Sequence, residues 1–357
     1  MHIGVVGCGN ISDFYFRTLP TFPGLTVVAC ADLLPERAAA KAAQYSLRAL
    51  SPAALLADPD IELVLNLTLP QAHAEVNLAA LSAGKHIYTE KPFAVTREEG
   101  QCTLALARER GLRVGSAPDT VLGAGLQTAR QIIDTGLIGQ PVAFMAFMGS
   151  PGHESWHPDP AFYYQAGAGP MFDMGPYYLT ALIHLFGPVR RVTGLASTPF
   201  AQRTITSQPH FGETIQVNTP THIVGALEFA SGPVGSLVTS FDIRHHRQPR
   251  VEIYGSEGSV SLHDPNAFGG PVLLRRRDDA DWHEVPHTHP YADNLRGLGV
   301  ADLAAALREG RPHRANGDVG YHVLDLMHAF LDASRDGQHI LLASTCNRPA
   351  PMPPQGL

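Results

Sequence analysis

A lysine stands where a short buried strand gives out. Lys91 follows the apolar run His86-Ile87-Tyr88-Thr89 and lies between Glu90 and Pro92. Proline fixes its own φ and keeps the residue before it extended, so Lys91 should stand on stiff backbone. A cation at the C-terminal end of a parallel strand is placed to meet a ligand hydroxyl. A second cluster opens the chain: the strand Met1 to Val6 runs into Gly7-Cys8-Gly9-Asn10-Ile11-Ser12. That is G-x-G-x-x-S, with Ser12 where a third glycine or an alanine usually stands. Small residues between a strand and a helix let backbone N–H groups approach a pyrophosphate, here through Gly7, Gly9, Asn10 and Ile11. The next strand, Leu25 to Ala31, ends in Asp32, 25 residues after Gly7. An acid near that distance binds a ribose 2′-hydroxyl. The same carboxylate repels a 2′-phosphate. Leu33-Leu34 supply no arginine and Arg37 is expected to face solvent, so NAD is preferred to NADP.

Two further groups carry reactive side chains. Asp173 and Tyr177 follow the glycine-rich Gly167-Ala168-Gly169-Pro170 and would share one face of a helix with Pro176 in its first turn. An acid favouring the helix dipole beside a packing aromatic fits this spacing at least as well as a site does. His153-Glu154-Ser155-Trp156-His157 is literally H-E-x-x-H, a zinc pattern whose mechanics require a helix. Pro158 disfavours helical geometry at His157 and no third ligand stands at a known spacing, so no metal is expected. The polar and aromatic run His153 to Tyr164 suits a sugar-binding loop in which His153, Trp156 and His157 touch substrate. An ordinary surface loop accounts for it equally well.

The elements that must position these residues alternate at first. A helix begins near Pro35, and Ser51-Pro52 reads as an N-cap and first helical position. Ile61 to Leu67 is a continuous apolar strand, with Asn66, Thr68, Pro70 and His73 clustered at its end, where a doubly wound sheet binds its ligand. A helix follows to Ser82, then the strand that delivers Glu90 and Lys91, both expected to contact the cofactor in the same crevice. Thr96-Arg97-Glu98-Glu99 is a capping box, and Leu112 to Ala117 is one more strand. Residues 1–120 are therefore expected to form an α/β, Rossmann dinucleotide-binding domain. From 121 to 345 the strands run consecutively: Pro141–Met148, Val189–Ala196, His222–Phe229, Val234–Phe241, Arg250–Tyr254, Ser259–His263 and Val272–Arg276. That order predicts an α+β substrate and oligomerisation domain on a large, mostly antiparallel open sheet. Helices are expected over Gly125–Asp134, Asn294–Arg308 and Val319–Arg335, the last two able to pack back on the first domain. Residues 346–357 read as an extended tail.

The totals agree. A length of 357 residues suits two domains. A net charge of −7 without a basic cluster argues against nucleic acid or a membrane surface as partner. Four cysteines without framework spacing, and no apolar run of membrane length, suit a cytoplasmic protein with reduced thiols. A sheet with one face to cover makes a homodimer or homotetramer the expected assembly.

Taken together, Val5-Val6-Gly7-Cys8-Gly9-Asn10, Asn66 to Pro70 with His73, Gly84-Lys85-His86, Glu90-Lys91-Pro92 and the Asp173–Tyr177 segment resemble the Gfo/Idh/MocA oxidoreductases along essentially the whole chain. The resemblance implies NAD- or NADP-linked oxidation of a sugar or cyclitol hydroxyl, or reduction of the ketone. It implies a catalytic role for Lys91, completed by Asp173 and the residue four on. In the family that residue is most often histidine; here it is Tyr177. Tyrosine, with an ordinary pKa of about 10, is a poor base unless a nearby ammonium and the oxidised nicotinamide favour its phenolate. The expected division has Lys91 orienting the hydroxyl, Tyr177 relaying its proton and Asp173 fixing both. Two alternatives keep the same residues: redox-neutral elimination or hydration of a glycoside through a transient keto-sugar, and a non-catalytic NAD-binding regulator.

Overall fold

The computed structural model describes all of residues 1–357. The chain divides into two compact units, Met1–Gly123 with His289–Leu324 and Pro349–Leu357, and Ala124–Thr288 with Asp325–Arg348.

The first unit is built on six parallel strands, β1 (His2–Val6), β2 (Thr26–Ala31), β3 (Arg48–Leu50), β4 (Leu63–Asn66), β5 (His86–Thr89) and β6 (Val114–Ser116). Their order is β3-β2-β1-β4-β5-β6, so the strand order reverses between β1 and β4. In such a sheet ligands bind outside the carboxyl ends of the strands at that reversal. Every residue of β4 is buried, as its unbroken apolar sequence requires of a strand covered on both faces. The connecting helices are α1 (Ser12–Thr18), α2 (Pro35–Tyr45), α3 (Pro52–Ala57), α4 (His73–Ser82) and α5 (Arg97–Arg110). Ser51 caps α3 by accepting from Ala54 N at 3.2 Å, and Thr96 with Glu99 closes a complete capping box on α5.

The second unit carries helix α6 (Ala124–Asp134), strand β7 (Pro141–Gly149), the short helix α7 (Gly169–Asp173), α8 (Gly175–Phe186) and β8 (Val189–Ser197). A small hairpin, β9 (Gln202–Thr204) and β10 (Thr214–Gln216), precedes β11 (His222–Phe229), β12 (Val234–Ser240), β13 (Val251–Gly255), β14 (Gly258–Leu262), β15 (Val272–Arg276), β16 (His283–Glu284) and β17 (Ile340–Leu341). Nine strands form one sheet in the order β16-β15-β14-β13-β7-β12-β11-β8-β17, antiparallel except for β7 with β12. One face is covered by α8, whose Phe186 packs with Phe144 and Phe229, and every residue of α8 is buried. On the opposite face the register aligns Leu195, Val224, Val238 and Phe147 across four strands, with Leu195 74% exposed.

Two long helices follow, α9 (Leu298–Glu309) and α10 (Gly317–Asp336), and the division between units falls within α10. Residues 289–324 group with the first unit, where Ser116 N donates to Ala315 O at 3.0 Å and Gly115 bridges Asn316. The expected loose tail is extended but docked. Met352 is buried, its carbonyl lies 3.1 Å from His289 Nε2, and Arg314 Nε donates to Pro351 O at 3.0 Å. No helix is long and apolar enough to cross a membrane.

Candidate active site

In the first unit the glycine turn, Asp32 and the end of β4 enclose a cavity of about 500 Å³. Its lining includes Gly7, Gly9, Asp32, Thr68, Leu69 and Val76. Gly7 adopts φ +102°, and a Cβ there would stand 2.6 Å from the Leu67 carbonyl, so only glycine lets β1 and β4 turn this close together. Gly9 has nothing within 4 Å of a would-be Cβ, which leaves its backbone open to a ligand. Ser12 fits in place of the third glycine because its hydroxyl folds back onto Gly9 O at 2.6 Å, leaving the residue fully buried.

Asp32 closes the other side. Its Oδ2 accepts from Cys8 N at 2.8 Å and its Oδ1 from Leu34 N at 2.9 Å, so the carboxylate is held facing the glycine turn. Each oxygen retains a lone pair for a ribose hydroxyl. Leu33, Leu34, Leu69 and Val76 supply apolar walls for a flat base. These residues fit a dinucleotide: open backbone for the pyrophosphate, a fixed acid for the ribose and an apolar slot beyond. Arg37 is exposed, as expected, yet it also lines this cavity. Asn10 is exposed and Ile11 half-buried at the start of α1; Pro70 opens a short 3-10 turn, Pro70–Ala72, before α4.

Three expected cofactor contacts are turned inward instead. Asn66 is fully buried: its Nδ2 donates to His73 O at 3.0 Å and Asn77 Oδ1 at 2.9 Å, and its Oδ1 accepts from Thr68 Oγ1 at 2.7 Å. His73 is also fully buried, with Nδ1 2.7 Å from Pro92 O and Nε2 3.0 Å from Thr68 O. Burial holds this imidazole below its ordinary pKa, against the pull of those two carbonyls. Glu90 takes the hydroxyl of Tyr15 on Oε1 at 2.8 Å and the N–H of Lys91 on Oε2 at 2.9 Å. Asn66 and His73 spend their polar atoms on the loops that carry Thr68 and Pro92, while Glu90 braces Lys91 and keeps a lone pair on each oxygen. Residue type signalled a polar crevice; only burial shows which members face it. Sequence reasoning also passed over Tyr15, which ties α1 to Glu90, since an aromatic in an amphipathic helix reads as packing.

Lys91 is half-buried at the end of β5, and its peptide bond to Pro92 is cis. The Glu90 side chain, through the Lys91 N–H, and His73, through the Pro92 carbonyl, fix the backbone on either side of it.

In the second unit Asp173 ends α7 and Tyr177 lies in the first turn of α8. One helix was expected; the structure breaks it at Met174, while Tyr177 N still donates to Met174 O at 3.1 Å. Gly169 at φ +85° admits the chain beside Pro220 O, 2.7 Å from where a Cβ would stand. Tyr177 is buried. His153 Nε2 lies 3.4 Å from Asp173 Oδ2, so the structure brings one member of the histidine loop to the helix break.

The remaining loop residues separate. His157 N donates to His153 O at 3.0 Å, one helical turn despite Pro158, because proline restricts His157's own torsions and not its N–H. Glu154, however, binds Arg203 Nη1 at 2.7 Å, and Arg203 also pairs with Asp242 and with Phe241 O. This buried cluster pins the loop from beneath. His157 is half-buried, accepts from Asp159 N on Nδ1 at 3.0 Å, and is held below its ordinary pKa by burial. Trp156 is 61% exposed, with its ring 5.2 Å from that of His153.

Residues 1–117 match the oxidoreductase family with an NAD-binding Rossmann fold, and residues 126–261 match the GFO/IDH/MocA C-terminal domain. An inositol 2-dehydrogenase of Ralstonia nicotianae is 28% identical over 75% of each chain. A dTDP-3,4-didehydro-2,6-dideoxy-alpha-D-glucose 3-reductase of Streptomyces antibioticus is 28% identical over 87% of this chain and 89% of that one. Among solved structures, a levoglucosan dehydrogenase in complex with NADH and levoglucosan superposes with TM-score 0.82 over 96% of this chain and 99% of that chain, at 21% identity. The glycine turn with its fixed acid, the two successive family matches and the shared fold lead to one conclusion: the chain belongs to the GFO/IDH/MocA family of NAD-binding oxidoreductases.

Proposed function

We propose that the protein transfers hydride between NAD and a hydroxyl-bearing carbon of a sugar, sugar derivative or cyclitol. The observation that carries this reading is in the first unit: an open glycine turn and a fixed acid border one cavity, and a lysine ends β5 of the same sheet. Relatives named for inositol, levoglucosan and a dideoxy sugar support a polyhydroxylated ring as substrate. Oxidation removes a hydride from carbon to the nicotinamide and a proton from oxygen to a protein group. Lys91 orients the hydroxyl, and Asp173 with Tyr177 handles the proton. The bound nicotinamide supplies the hydride acceptor, and every other task falls to these side chains.

The test is to add NAD to the purified protein with a panel of sugars, cyclitols and glycosides and follow NADH and products together. Net NADH with one ring class supports the proposal. Product formation without net NADH points instead to redox-neutral chemistry, and a Lys91→Ala variant with full activity would remove the lysine from it. The proposal includes a homo-oligomer formed by the sheet face bearing Leu195 and Val224, which light scattering checks.

A further inference from the structure

We propose that His153 is a positioning residue that acts through Asp173, by donating its Nε2–H to the carboxylate and holding it correctly turned. This rests on the reading that Asp173 takes part in proton handling.

Four observations carry it. The two groups meet at 3.4 Å, with side chains only 10% and 15% exposed. Two rings hold the imidazole plane: it stacks on Tyr163 at 3.8 Å with 12° between planes, and Phe241 lies at 4.6 Å with 79° between planes. The backbone N–H of His153 donates to Tyr164 Oη at 3.2 Å, so the ring hangs from an anchored point. Finally, Nδ1 is buried and has no hydrogen-bond partner. A buried lone pair left unmet is less costly than a buried N–H left unmet, so the favoured tautomer carries its proton on Nε2, facing Asp173.

The same burial decides between two roles. A general base must present its free nitrogen to the reacting proton. Nδ1 is enclosed and cannot, so His153 serves the carboxylate and the carboxylate serves the substrate. The H-E pair thus divides its labour: Glu154 anchors the loop on Arg203, and the histidine before it reaches Asp173. The titratable and charged groups around His153 are Asp173 on α7, His157 on the same loop, Tyr163 and Tyr164, and the Glu154, Arg203 and Asp242 cluster beneath.

Two substitutions and one spectrum test this. His153→Phe keeps a flat ring against Tyr163 but has no N–H; His153→Gln keeps an amide N–H at about the reach of Nε2. With the best substrate of the panel, His153→Phe should lose roughly 100-fold in kcat with NAD affinity unchanged, as expected when a reacting group is misplaced. His153→Gln should stay within about tenfold of the parent, a rescue that a merely structural role for the ring would not give. Independently of any substrate, nitrogen–proton correlation spectra of the parent should show the His153 imidazole carrying its proton on Nε2, the nitrogen 3.4 Å from Asp173 Oδ2. Melting curves confirm that each variant is folded. A parental kcat in His153→Phe, a His153 imidazole protonated on Nδ1 in the parent, or a folded His153→Gln as inactive as His153→Phe would each overturn the proposal. Should no panel member yield NADH, the functional reading fails and the tautomer spectrum still decides the His153–Asp173 link.

Discussion

Replacing Asp119 with asparagine should remove a pH dependence of stability that the buried acid builds into the first unit. Asp119 is 1% exposed, and its Oδ2 accepts from Gly297 N at 2.8 Å and Gly299 N at 3.0 Å at the start of α9. Burial raises its pKa from 3.8 to about 6; the two N–H groups and Arg296 pull it down, and Glu90 pushes it further up. A carboxyl whose folded pKa is raised holds its proton in the folded state after the unfolded chain has released it. Its contribution is therefore fully present below the unfolded pKa and is lost as pH rises through the folded pKa. A gap of about two units, at about 1.36 kcal/mol each, comes to about 3 kcal/mol lost between roughly pH 4 and pH 6. Asparagine keeps an acceptor oxygen for the two N–H groups and does not titrate. Other acids also respond over this range, so the quantity to read is the difference between Asp119→Asn and the parent. Urea denaturation followed by circular dichroism, at pH steps from about 4 to about 7, should show the variant gaining about 3 kcal/mol on the parent as pH rises. A difference that stays flat across this range would refute the reasoning.

Tyr15→Phe removes a hydroxyl that donates to buried Glu90 at 2.8 Å. A bond to a charged group is worth about 2 kcal/mol, so Tm should fall by roughly 4–8 °C, and kcat should fall more than NAD affinity because Glu90 also holds the Lys91 N–H. Gly7→Ala meets both a left-handed φ and the Leu67 carbonyl at 2.6 Å. Backbone cannot yield as a side chain can, and about 3 kcal/mol of stability should be lost together with NAD binding, as denaturation and calorimetry would report. Asp32→Ala should weaken NAD by roughly 30-fold, about 2 kcal/mol, and cost NADP less, since Arg37 lines the same cavity. Parallel titrations with both cofactors check the change in preference.

The fold was legible where pattern follows burial. The strand His222–Phe229 alternates buried Ile223, Leu227 and Phe229 with exposed Val224, and its expected bounds match those observed. The parallel strands other than β3 announced themselves as largely apolar runs. The strands β3, β9, β10, β16 and β17 did not, because each has only two or three residues, too short for a period to show. The C-terminal tail illustrates a different limit. Its prolines fit an extended chain, but docking depends on Arg314 and His289, which sequence cannot place beside residues 350–352.

Site residues were legible by type and not by direction. Glycine, aspartate and lysine at strand ends carry their meaning in backbone geometry, which sequence spacing encodes directly. Asn66 and His73 occupy the same crevice in sequence as Glu90, yet their hydrogen-bonding atoms are consumed within the protein, while Glu90 accepts one bond on each oxygen, from Tyr15 and Lys91. The histidine loop makes the same distinction sharper. A zinc motif asks that both histidines and the glutamate converge, but the only helical turn here runs from His153 to His157, and Glu154 faces Arg203. Once Glu154 is committed as an anchor, the loop has a fixed end, and a fixed loop can hold one imidazole against a carboxylate. What the spacing presented as a metal site is better understood as a strut with a histidine at its tip, aimed at Asp173.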